Sequence, residues 1–66
     1  MTDFPEVFGQ ANTNIVKAVV SLEGEIRFLR KLGDKKSAKR AEKVLNSLQK
    51  IRDEHNQIAV KKSMVH

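Results

Sequence analysis

Leu32-Gly33-Asp34-Lys35-Lys36-Ser37 is the stretch that decides the architecture of this chain. Gly33 can adopt the left-handed backbone that closes a helix one residue past its C-cap, and Asp34 can accept the orphan amide hydrogen bonds of a new helix as its N-cap. A stop signal beside a start signal predicts a tight turn, at residues 33–34, between two antiparallel helices.

Upstream of the turn, Ile15, Val19, Leu22, Ile26 and Leu29 are spaced four, three, four and three apart. That spacing is the seam of a helix packed on other helices. Phe8 and Ala11 extend the stripe backward, and Asp3 with Glu6 and Pro5 resembles a capping box with a proline in the first turn. The expected helix covers about residues 4–32. It is firmest from residue 13, because Gly9 and Asn12-Thr13-Asn14 could interrupt it. Downstream, Ala41, Val44, Leu48, Ile51, His55 and Ile58 keep the same alternation, with Leu45 widening the stripe, and predict a helix over about 35–60. Residues 61–66 have no seam to join and are expected to fray. The fold class is therefore all-α, one helical-hairpin domain over residues 1–66, without repeats or strand-like alternation.

Sixty-six residues can bury only about 60% of the surface of the unfolded chain, so such a domain needs a further source of stability. With no cysteine, disulfides and thiolate metal sites are excluded. Each expected helix is roughly 30–40 Å long, and two rods side by side cannot cover each other's stripes. Val16 and Val20 widen the first stripe and Leu45 the second, so each hairpin should leave an apolar face open. A homodimer forming a four-helix bundle is the economical solution. In length and shape this layout resembles the two-helix hairpins found among ribosomal proteins and secretion chaperones; no shared residue motif carries a binding residue over from them.

The N-terminus, Met1-Thr2-Asp3-Phe4-Pro5-Glu6, is acidic where a secretory signal is basic, and no apolar signal core follows. The longest apolar stretch, Ile15 to Leu22, is broken by Lys17 and is far short of the ~20 residues that span a bilayer. The expectation is a cytoplasmic protein with no membrane partner.

Arrangements that carry catalysis are missing: no phosphate loop, no HExxH, no cysteine nucleophile, no GxSxG elbow. The reading is not an enzyme, with no cofactor and no metal. His55 is the one candidate acid or base. Its neighbours Asp53 and Glu54 do not face it on a helix and are better placed to pair back with Lys50. A polar residue in a seam more often fixes the register of a bundle, or sits partly buried, than senses pH or binds metal.

The organised feature is charge. The chain has a net charge of +5, and residues 27–43 hold eight cations, Arg27, Arg30, Lys31, Lys35, Lys36, Lys39, Arg40 and Lys43, against Asp34 and Glu42. Arg30 and Lys31 favour the negative end of the first helix's dipole. Lys35 and Lys36 sit in the first turn of the second helix, where cations are disfavoured, so helix stability does not explain them. Phe28 lies about 100° round the helix from Leu29, off the seam, with Gly24 one turn before and Leu32 one turn after. Burial habits of Phe favour a wider core that takes it in; the alternative is an exposed aromatic anchor beside Arg27 and Lys31. Gly24 in mid-helix costs ~1 kcal/mol against Ala, which close approach of a second helix would explain.

From these residues we expect a small non-enzymatic regulator, inhibitor or adaptor that binds a larger protein with an acidic surface. The contact residues would be Arg27, Phe28, Lys31, Lys35, Lys36, Lys39, Arg40 and Lys43. The alternative is a basic nucleic-acid binder that contacts the phosphate backbone of RNA or DNA; three Phe and no Tyr or Trp supply little for base stacking.

Overall fold

The computed structural model describes residues 3–64, which form two helices: α1, Phe4–Lys31, and α2, Lys35–Met64. They pack side by side as an antiparallel hairpin. Asp3 caps α1, its Oδ1 accepting from the Glu6 amide at 3.1 Å, and Pro5 sits in the first turn where its missing N–H is not needed. The residues that could have interrupted α1 do not. Thr13 donates its hydroxyl to the Gly9 carbonyl at 2.9 Å, a local bond that keeps a polar side chain within the helical register.

The turn is built as its residues dictate. Gly33 takes φ +79°, its N–H donates to the Arg30 carbonyl at 3.0 Å, and the Asp34 N–H reaches the Leu29 carbonyl at 3.0 Å. These two bonds make a Schellman closure, which satisfies carbonyls that the end of α1 would otherwise leave open. Asp34 then caps α2, its Oδ1 accepting from the Ser37 amide at 3.1 Å.

The α1 stripe faces α2 as its spacing predicts. Val19 and Ile26 are buried, and Phe8, Ala11, Ile15, Val16, Leu22 and Leu29 are half-buried. On α2 the seam is rotated from the expected line. Ala38, Ala41, Leu45, Leu48, His55 and Ala59 are buried or half-buried, with Ser37 and Glu42 half-buried near the tip, while Val44, Ile51 and Ile58 are 54%, 51% and 48% exposed. Alanines at 38, 41 and 59 let α2 approach closely, and this face wins over one carrying larger side chains.

The α2 terminus also departs from expectation. Lys61 to Met64 continue the helix instead of fraying; residues 65 and 66 lie outside the described residues. Lys61 and Lys62 stand in the last turn, where the helix dipole favours cations, and Lys62 Nζ lies 5.3 Å from the centre of the Phe4 ring. The core is thin. Its buried apolar residues are Val19, Ile26, Ala38 and Ala41, and no large side chain among the described residues is fully buried.

Candidate binding surface at the hairpin tip

The turn brings the last turns of α1 and the first turns of α2 to one end of the molecule, so the eight cations of residues 27–43 share that end. They do not share one face. Arg30, Lys35 and Lys39 line a shallow depression with Ala38 and Glu42 on one broad side of the hairpin. Arg40 lines a groove on the other side with Leu22, Glu25, Leu29, Ser37, Ala41 and Val44. At 100° per residue, Lys36 and Lys43 point away from α1, on the back of α2, where both are exposed. The eight-residue surface expected from sequence is therefore a collar around the tip.

Within the collar, Arg30 pairs with Glu42 across the two helices, which ties part of the charge into holding the hairpin together. Both side chains are open to water, so the pair adds little to stability. Asp34, held well ionised, is the other anion: the hydrogen bond from the Ser37 amide, with a second from the Ser37 hydroxyl and the charge of Arg40, lowers its pKa below the ordinary aspartate value. It is engaged with the start of α2 and leaves the neighbouring lysines uncompensated. The first turn of α2 contains no acidic residue.

Phe28 is not part of a wider core. It lies on the side of α1 opposite α2 and is 60% exposed. Leu32, one turn on, is 64% exposed, the highest value among the large apolar side chains of the described residues. Residues i and i+4 are neighbours on a helix, so Phe28 and Leu32 form one apolar patch on the outer side of the tip, with Arg27 and Lys31 exposed beside it on the same helix. Leu32 was legible in the sequence as the next turn after Phe28, but its position at a C-cap gave no sign of which way it points. Gly24 does not mark a close helix approach: a methyl built there would meet only Arg27 Nη2, at 3.8 Å.

No family model, no curated protein and no solved structure matches this chain. Its function has to be read from its own surface.

At the opposite end, His55 is half-buried and lies flat on the Phe8 ring, with centroids 4.2 Å apart and planes 6° from parallel. His55 Nδ1 and Asn12 Oδ1 are both buried without a hydrogen-bond partner. Equal rise along the two helices, counted outward from the turn, sets Asn12 at the level of His55, so two polar residues stand at one height of an apolar seam. Among the described residues, no three His, Cys, Asp or Glu side chains converge as a metal would require, and no helix is long and apolar enough to cross a membrane.

Proposed function

We propose that this protein is a small non-enzymatic adaptor or regulator, acting in the cytoplasm, that binds a larger protein through the outer side of its tip. Phe28 and Leu32 anchor the contact, while Arg27, Lys31, Lys35 and Lys39 steer an acidic partner surface onto it. The supporting observation is the exposure of Phe28 and Leu32: a monomeric helix gains nothing by displaying an aromatic and a leucine side by side in water, amid cations it could have buried them beneath. In this reading the acting species is a homodimer, two hairpins packed as a four-helix bundle.

The test is quantitative co-purification from an extract of the source cells, comparing the protein with its Phe28→Ala variant. Loss of an interface anchor costs ~2 kcal/mol or more, a drop of about 30-fold in affinity, while helix content by circular dichroism should hold because Phe28 touches little of the core. A partner whose recovery depends on Phe28 supports the proposal. Recovery that ignores Phe28, or a variant that unfolds, overturns it.

A second reading rests on Lys35 and Lys36, whose positions at the start of α2 work against the helix dipole. Phosphates docked on the collar would offset that cost, and the protein would then bind nucleic acid through backbone charge. Its signature is affinity for mixed-sequence duplex DNA or RNA that falls steeply as salt rises, and that Phe28→Ala leaves unchanged.

A further inference from the structure

The hairpin is one helix thick, with extents of 52 × 21 × 11 Å, so both of its broad faces lie open. A folded monomer of 7.5 kDa exposes about 4,200 Å² on the usual scaling with mass, whereas this chain exposes 5530 Å². The surplus of about 1,300 Å² exceeds the ~800 Å² that each partner contributes to a standard stable interface.

The two broad faces differ in chemistry. Val44, Ile51 and Ile58 recur every seven residues, drift only ~20° per repeat, and so mark one edge of α2. Ala11, Ala18, Leu22 and Leu29 hold the matching edge of α1, and Leu22, Leu29, Ala41 and Val44 meet there in a single groove whose rim carries Glu25, Ser37 and Arg40. On the other edge of α2 the same seven-residue spacing reads Glu42, Gln49, Asn56, beside the depression lined by Arg30, Lys35 and Lys39. One apolar face per chain favours a closed pair over an open chain of copies.

Charge selects the occupant and its direction. Residues 27–43 carry +6, and the rest of the chain carries −1, with four of its six anions, Asp3, Glu6, Asp53 and Glu54, near the open end. A second copy laid tip beside tip would set two +6 clusters together. Laid the other way, each basic tip lies along the near-neutral open end of its partner, where Lys50, Arg52, Lys61 and Lys62 offset those four anions, and the repulsion between tips is avoided.

We infer that two copies pair through the Leu22, Leu29, Val44, Ile51 and Ile58 face with their tips at opposite ends, forming a bundle with two basic tips about 50 Å apart. The pairing stands on area, pattern and charge; only its consequence, a double-ended binder able to hold two partner molecules at once, rests on the tip being the contact surface.

Light scattering over a dilution series should give twice the 7.5 kDa chain mass. Ile51 lies close to mid-length of α2, so Ile51→Glu would set two carboxylates near the two-fold axis and should weaken pairing at least ~100-fold. Gln49→Glu, on the polar edge, should leave the mass unchanged. For direction, a spin label on Lys36→Cys, in a chain with no cysteine of its own, should report a distance of about 50 Å between tips. A distance of ~20 Å would mean tips side by side and overturns the arrangement. A wild-type chain that stays monomeric overturns the pairing and leaves the face to another occupant; a dimer indifferent to Ile51→Glu overturns the face. Should Ile51→Glu unfold, the wild-type mass and label distance still decide. Phe28→Ala, by contrast, should weaken tip binding about 30-fold without changing the mass, which separates failure of the tip from failure of the pairing.

Discussion

The two ends of the hairpin are closed by different physics. At the tip, local bonds do the work: the Gly33 and Asp34 amides close α1, and the Asp34 carboxylate opens α2, all between Leu29 and Ser37. At the open end, side chains distant in sequence do it: Phe8 lies against His55 with centroids 4.2 Å apart and Lys62 over Phe4, while Phe4 and Phe8 meet one turn apart on α1. Because the tip holds itself shut through its main chain, its side chains are free to face outward, and Phe28, Leu32 and the lysines do so. The open end has no such freedom, since its aromatic residues are spent on closure. The difference teaches where a partner surface can be built on so small a protein, namely where local hydrogen bonds have already secured the chain.

The comparison can be broken at either end. Phe8→Ala removes a half-buried ring that contacts both Phe4 and His55, and should cost ~2 kcal/mol or more, less than the loss of a fully buried Phe. The unfolding midpoint measured by circular dichroism should fall by roughly 10 °C, and amide exchange should quicken at residues 4–12 and 55–62 before it does at the tip. Exchange that quickens evenly would mean that the two ends are not separately secured.

Gly33→Ala should cost ~1–2 kcal/mol, because a Cβ at φ +79° meets the following carbonyl. Beyond its own chain neighbours nothing lies within 4 Å of that Cβ, so the cost is one of backbone alone, and D-alanine at the same position should be tolerated. An equal loss with D-alanine would refute the backbone account of the tip.

The smallest effect concerns the cap on α2. Asp34 has its pKa lowered by the Ser37 hydrogen bonds, so its ionised form stabilises the fold at pH above the ordinary aspartate range. That contribution declines as pH falls through the lowered value, when the folded state must take up the proton. Asp34→Asn can still cap but has no charge to lose, so its acid titration of stability should be flatter than that of the wild type. Curves that run parallel would show that Asp34 contributes no pH dependence.

Much of this fold was legible in advance. Periodicity and caps gave two helices, and Gly33-Asp34 gave the turn, because helix termini are set by hydrogen bonds a few residues long. The site was legible as a charge cluster but not as a surface. Spacing could not show that Arg30 is drawn across to Glu42, that Arg40 lies on the face away from Lys35 and Lys39, or that Leu32 joins Phe28.

The sequence by itself determined the number of helices, their ends near residues 4, 31 and 35, and the concentration of positive charge at their junction, since each follows from local bonding and composition. Tertiary structure alone decided the rotation of α2. Its apolar stripe is wide enough for either the Val44, Ile51, Ile58 line or the Ala38, Ala41, Leu45 line to face α1, and periodicity cannot choose between them. The short turn and the close approach allowed by the alanines choose the second, and in doing so turn the larger residues outward to the edge where a second copy can cover them.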